Sequence, residues 1–461
     1  MGFMQRRGCA IGILCLLVSA RAVAQEEEIT DVKVVNATRT DEETVRSIAG
    51  ISIGDTLHTD TLDIARERLN TSGLFAEVNV YWEPYKAGVR VVIAIREKFP
   101  WAPLPVFSYS PGNISGGGLF AHGNLFGRGK RGIIAGRVSN VDSGCLIAYD
   151  DPAFLGSWGF FTIKGKFQSQ IIPEYSNVKY PDMPLEPMRN TRLRSYGFEI
   201  SAGIAWFRKV RTSFGWNIDK NEIRWSAANE ANPYSVQAFG GPAPLSAAGA
   251  RRGNIMANLT FDFRARQQAV MYGNALGFSL EYAASRWGSE LWYWKANVSY
   301  EHGVRFFKRH NLIIRLGGTA GENLPLWSEN SAGGTNLRGY LYRQFQGDVH
   351  LRSQVEYHFP LFSLWSLDVR GLVFSDAAAI YWRKLPEPLP DGSAYVTRED
   401  GRQFLPPGYL RQGFRAEEDV HTSAGAGLRF FLRSVAVPLV GIDVGNGIGT
   451  KDVRIILVLG V

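Results

Sequence analysis

The chain has 461 residues, with 51 Lys and Arg against 43 Asp and Glu, a formal net charge of +8. So mild an excess is not the basic footprint of a nucleic-acid binder. Three cysteines, and no run approaching the ~18 apolar residues of a membrane helix, exclude a disulfide-stapled scaffold and a helical membrane protein. What remains, 50 glycines with 12 Trp and 18 Tyr among long alternating runs, suits strands that cross a membrane.

Residues 1–24 read as a cleaved export signal: Arg6 and Arg7, an apolar core from Cys9 to Ser19, and the small-x-small site Ala22-Val23-Ala24. The core is shorter than the ~20 residues of an anchor. Leu14 before Cys15 stands where a lipoprotein signal has a small residue. Cleavage removes Cys9, Cys15, Arg6, Arg7 and Arg21 but no acid. Cys145 is then alone, and the net charge falls from +8 to +5.

Residues 25–98 predict a small α+β domain. Ile29–Val35 alternates as a strand, and Thr40-Asp41-Glu42-Glu43 is a capping box opening a helix through Ile48. A second helix covers Asp60–Leu69, with Leu62, Ala65 and Leu69 on one face, and stops near Gly73. Two strands follow, Phe75–Trp82 and Val89–Glu97, joined at Lys86-Ala87-Gly88. Phe99-Pro100-Trp101-Ala102-Pro103 reads as a linker, residues 99–103.

From 104 to 461 only strands are predicted. Along 348–359, Asp348, His350, Arg352, Gln354, Glu356 and His358 oppose Val349, Leu351, Ser353, Val355, Tyr357 and Phe359, as a wall between water and lipid requires. In 160–170, Lys164, Lys166, Gln168 and Gln170 oppose Phe161, Ile163, Gly165 and Phe167. Hairpin signals give sixteen strands: 104–110, 115–123, 130–139, 143–150, 157–170, 192–206, 211–218, 255–266, 273–285, 291–303, 310–320, 347–358, 366–380, 421–433, 436–445 and 451–461. The long connections, 171–191, 219–254, 321–346 and 381–420, fall on one rim and the tight ones mostly on the other. Trp287, Trp292, Tyr293 and Trp294 are expected in an aromatic girdle.

The connection 321–346 holds Gly333-Gly334-Thr335-Asn336-Leu337-Arg338-Gly339-Tyr340, and the strand 366–380 holds Phe374-Ser375-Asp376. Asp376 shares the charged parity of Asp368 and Arg370. An arginine on a loop folded into a barrel lumen needs a carboxylate partner, and Asp376 supplies one. This pairing resembles the BamA/TamA-type outer-membrane assembly proteins (the bacterial surface antigen family), whose inner loop carries Val/Leu-Arg-Gly-Phe/Tyr and meets a Phe-x-Asp motif. The resemblance spans about residues 28–461. It includes Gly54-Asp55 and Ser72–Val78 in one POTRA-like repeat, then Asn124-Leu125-Phe126-Gly127, Asp151-Pro152-Ala153-Phe154 and Gly425–Phe430. Ala378, in place of a glycine, and the Leu459-Gly460-Val461 end depart from the pattern.

The resemblance implies a mainly β fold: a 16-stranded antiparallel transmembrane β-barrel preceded by one POTRA domain, with the barrel in the bacterial outer membrane and the POTRA domain in the periplasm. It implies a non-enzymatic factor that assembles outer-membrane proteins or translocates polypeptide, without cofactor or metal. Its partners would be unfolded or extended polypeptide clients and outer-membrane lipid, with room for accessory lipoproteins. Gly334, Leu337, Arg338, Gly339 and Tyr340 would form the inner-loop motif and Phe374 and Asp376 its partner. Phe75, Val78, Val80 and Trp82 would mark an edge strand for clients. The seam between strands 1 and 16 would be weak, since Pro103, Pro105 and Pro111 crowd strand 1. The alternative is a two-partner-type secretion pore, a class that usually has two POTRA modules and a plug helix.

Three patterns are set aside. Gly50-Ile51-Ser52-Ile53-Gly54 fits a nucleophile elbow but follows a helix where that chemistry needs a strand. Gly127-Arg128-Gly129-Lys130-Arg131-Gly132 fits a dinucleotide loop, but a strand follows where the site needs a helix. The seven histidines have no metal spacing.

Overall fold

The structure, a computed structural model, describes residues 27–58, 60–154, 158–175, 186–206, 209–229, 249–267, 269–365, 367–384, 394–395, 404–405, 411–432, 438–450 and 453–459. The expected leader, 1–24, lies outside them. The chain divides into two compact units, one running to residue 97 without 38–44, the other made of 38–44 and 98–461.

Before residue 98 the elements are β1 (Glu27–Val35), α1 (Glu42–Ala49), β2 (Thr56–Leu57), α2 (Thr61–Thr71), β3 (Phe75–Tyr85) and β4 (Gly88–Glu97). Glu42 and Glu43 fill the first turn of α1, where carboxylates meet the helix dipole. The sheet order is β2-β1-β4-β3, with β1 and β4 parallel. β4 is therefore central and β3 is an outer edge. Val32, Val45, Ala65, Leu69, Phe75, Val91 and Ile93 are all at most 2% exposed and form one core. Gly50, with φ +68°, ends α1, and the Ser52 N–H is held by Asp55 Oδ2 at 2.7 Å in a turn.

The second unit is a closed barrel of sixteen strands. They are β5 (Trp101–Ser110), β6 (Asn113–Leu125), β7 (Lys130–Ser139), β8 (Asp142–Asp151), β9 (Gly159–Glu174), β10 (Arg189–Trp206), β11 (Val210–Ala228) and β12 (Gly249–Asp262, continued at Ala265–Gln267). Then come β13 (Val270–Ala283), β14 (Tyr293–Phe306), β15 (His310–Glu322), β16 (Val349–Leu364), β17 (Leu367–Tyr381), β18 (Val420–Leu432), β19 (Pro438–Gly447) and β20 (Val453–Leu459). Neighbours pair antiparallel, and β20 returns to β5.

Two expectations are corrected. β5 starts at Trp101, so Pro103 lies inside a strand and residues 99–103 are not a linker throughout. Alternation from the closing pair Ser110–Asn113 turns the backbone of Pro103 and Pro105 toward β20, where a missing N–H leaves the β5–β6 ladder whole. The girdle is also thinner than expected. Trp292 is 43% exposed, but Tyr293 is fully buried and bonds Glu281, because adjacent strand residues face opposite sides.

The N-terminal fragment 25–100 is expected to fold alone. Leu69→Ala should destabilise it by about 2–5 kcal/mol in urea titrations followed by circular dichroism. Its hydrogen bond from Arg90 holds the Asp31 carboxyl below its ordinary range. A group depressed in the folded state stabilises above its unfolded pKa and ceases to as pH falls through the folded one. The fragment should therefore weaken on acidification, and Asp31→Asn should flatten that pH dependence.

Candidate functional site: the inner loop and two strand edges

The connection between β15 and β16, residues 323–348, folds back against the inner faces of the wall strands. Asn330–Ala332 pairs with Phe345–Gly347, and residues 333–344 form the tip of this hairpin. Two glycines there have φ of +125° and +71°, at Gly333 and Gly334.

Arg338 is 3% exposed and Asp376 fully buried. Nε and Nη2 of Arg338 donate to the Asp376 carboxylate at 2.8 and 2.6 Å, and its backbone N–H adds a third bond at 3.1 Å. Nη1 donates to Glu356 at 2.8 Å and to Asp443 at 3.2 Å. The guanidinium carbon lies 3.5 Å from the centroid of the Phe374 ring. The fork is thus filled by carboxylates in its plane and by an aromatic face above it.

The acids are shared. Arg315 and His358 each reach Glu356 at 3.0 Å, and Arg429 reaches Asp443 at 2.5 Å. Arg338, Arg315 and Arg429 thus interleave with Asp376, Glu356 and Asp443, and Arg315 carries the network on to Glu301 of β14 at 2.9 Å. Glu356 and Asp443 were not singled out from sequence, although Glu356 lies on the polar face read along 348–359.

Small residues make the room. A Cβ on Gly425 would stand 2.4 Å from Phe374 Cζ and 2.1 Å from the Val444 carbonyl. Gly339 has φ +95°, and its Cβ would stand 2.6 Å from the Gly447 nitrogen. Tyr340 Oη donates to the Thr422 carbonyl at 3.0 Å. Leu337, fully buried, packs with Tyr340 and Ala378, so alanine fits where a glycine was expected. A second anchorage holds the loop's start: Leu326 packs on Ile172, Leu193 and Ile223 from β9, β10 and β11.

In the first unit, the residues expected along the β3 edge divide. Phe75 and Val80 are 2% and 1% exposed, so their side chains belong to the core, while Trp82 is 45% exposed. Arg66 Nη2 of α2 donates to the Val80 carbonyl at 2.9 Å. That carbonyl therefore points off the sheet, and the Val80 N–H points the same way.

The other edge is the barrel seam. Among the described residues β20 meets β5 through three residue pairs, Leu457–Tyr109, Val458–Ser108 and Leu459–Phe107. β5 meets β6 through ten and β20 meets β19 through seven.

Residues 124–433 match a model of the Omp85 superfamily domain, and residues 27–98 match a POTRA model, described as a surface antigen variable number repeat. Among solved structures, BamA from Haemophilus ducreyi lacking POTRA domains 1–3 is similar, with TM-score 0.65 and 14% identity over 94% of this chain and 84% of that one. CdiB from Acinetobacter baumannii has TM-score 0.57 and 12% identity, covering 94% of this chain and 74% of that one. CdiB from Escherichia coli has TM-score 0.54 and 12% identity, covering 96% and 92%. A search of curated proteins returned no match.

Arg338→Ala leaves Asp376, Glu356 and Asp443 facing one another and is expected to destabilise the folded barrel by about 3–5 kcal/mol. Asp376→Asn should do less, since Arg338 keeps two acids. Urea unfolding of the reconstituted protein, followed by heat-modifiable gel migration, measures both. The double mutant should be little worse than Arg338→Ala, and strict additivity would contradict direct coupling.

Proposed function

Since the chain belongs to the Omp85 superfamily, as an outer-membrane barrel with its POTRA domain in the periplasm, we propose that it takes extended polypeptide at the POTRA edge and inserts it through the β5–β20 seam. The reading is non-enzymatic. The client would arrive as a strand added to β3, whose outward carbonyl at Val80 is held by Arg66, a contact that an incoming N–H can replace.

The observation that carries the reading is the contrast between seam and lumen. Parting the three described residue pairs at the seam breaks a few hydrogen bonds, each worth about 1 kcal/mol net. Clearing the lumen means withdrawing Arg338 from three buried carboxylates, a loss on the order of 3–5 kcal/mol before any other loop contact is counted. The seam is the easier opening. A two-partner-type secretion pore, the second reading favoured by the CdiB likeness, would have to take the harder one.

Ser108 and Val458 are register partners across the seam, at a non-hydrogen-bonded position in the alternation described above. Cysteines at both positions, with Cys145→Ser, should crosslink on oxidation, stop client insertion and release it again on reduction. Full activity in the locked protein would favour passage through the lumen. At the other edge, Val80→Pro should abolish peptide-induced amide shifts along β3 in the 25–100 fragment, and Arg66→Ala should strengthen peptide binding. Shifts confined to α1 and α2 would sink the edge model.

A further inference from the structure

The lipid-facing side of β10, β11 and β12 carries charge where a barrel wall is ordinarily apolar or aromatic. Register aligns Tyr196, Lys220 and Arg251 in one row across the three strands. Alternation turns all three outward, since Ser195, Asp219 and Asn254 are buried on the other parity. Counted from the periplasmic strand ends, Tyr196 is the eleventh residue from Trp206 and Lys220 the eleventh from Val210. About 9–11 residues cross the hydrocarbon. The row therefore lies at headgroup level in the outer leaflet, and Arg194, Glu222 and Arg224 stand just above it.

Four cations meet few anions here. Glu222 takes Lys220 at 2.7 Å and Arg224 at 3.2 Å. Glu290 accepts the backbone N–H of Arg251 at 2.8 Å and keeps its charge beside it, while Arg251 Nε donates to the Gly288 carbonyl at 3.0 Å, so four cations stand against two carboxylates. Arg194 is exposed and makes no ion pair among the described residues. Directly below, the next row reads Ile147, Gly165, Phe198 and Ile218. Nothing stands within 4 Å of where a Gly165 Cβ would be, so the wall is notched there. Phe167, Phe198, Ile147 and Ile218 line the resulting groove of about 530 Å³, with Lys220 and Arg251 on its margin.

We propose that this patch is a binding site for a multiply phosphorylated lipid of the outer leaflet, its phosphates on Arg194, Lys220 and Arg251 and an acyl chain in the Gly165 notch. Charge complementarity selects phosphate. Adjacent strands lie roughly 4.8 Å apart, so cations spread over three strands suit two phosphates on one headgroup better than the single phosphate of a phospholipid. The groove below selects a lipid over a free anion. The site rests on the barrel and its membrane placement and is independent of how clients are handled.

The test uses the full chain in mild detergent, with native mass spectrometry reading lipid adducts. Bisphosphorylated lipid A is expected to bind one to one, more tightly than monophosphorylated lipid A or phosphatidylglycerol, and inorganic phosphate should compete poorly. Lys220→Gln with Arg251→Gln should weaken lipid A binding roughly 30-fold, at about 1 kcal/mol for each cation near the surface. Gly165→Leu should weaken it while leaving the cations in place, and Lys209→Gln at the periplasmic rim should not. Heat-modifiable migration checks that each variant is folded. Equal binding of phosphatidylglycerol, full displacement by inorganic phosphate, or unchanged binding in both the charge and notch variants would overturn the proposal.

Discussion

A guanidinium taken out of water must have its donors met elsewhere, and this barrel is arranged around meeting them for Arg338. Its fork is saturated by Asp376, Glu356 and Asp443, and its face by Phe374. The four partners come from three strands: Glu356 from β16, Phe374 and Asp376 from β17, Asp443 from β19. The requirement propagates outward. Three acids around one cation need Arg315 and Arg429, Phe374 needs the bare backbone of Gly425, and the loop needs Gly339 to lie close on β19. Removing the central charge therefore disturbs acids on three strands at once, which sets it apart from a surface ion pair.

Much of this was legible in the sequence because a barrel strand exposes its two faces to opposite solvents. The polar series Asp348 to His358 reads as one face, and the same parity put Asp376 beside the loop. Legibility fails where that contrast fades. The predicted strand 211–218 runs to Ala228, because beyond Ile218 outward Lys220, Glu222 and Arg224 join inward Asp219 and Asn221, so both faces are polar and no alternation is left. Asp443 was missed for a related reason: it sits among glycines and aliphatic residues, in Val440-Gly441-Ile442-Asp443-Val444-Gly445, with no polar series to mark its face. The linker was misjudged because Pro103 signals a break in an interior strand but is tolerated on one whose ladder partner lies on the other side.

The two edges differ in how they are kept from pairing at random. In the POTRA unit the outward carbonyl of Val80 is occupied by a side chain of the same unit, which leaves the edge available but not bare. In the barrel, the β5 edge on the β20 side lacks the N–H groups of Pro103 and Pro105, which lie beyond its three described pairs. One edge can be unmasked by a competitor. The other lacks two backbone donors in any surroundings.

The inner loop also reaches the far side of that under-bonded seam. Arg338 grips β19 through Asp443, while the Tyr342 N–H meets the Pro111 carbonyl, in the turn between β5 and β6, at 3.4 Å. A tie fastened on both banks changes what kind of gap this is. Small widening would be shared between wall and tie, so the first displacement is elastic and reversible. The tie adds one bond, worth about 1 kcal/mol net, to a seam with three described residue pairs, so the loop and the wall share the load without the loop alone deciding it.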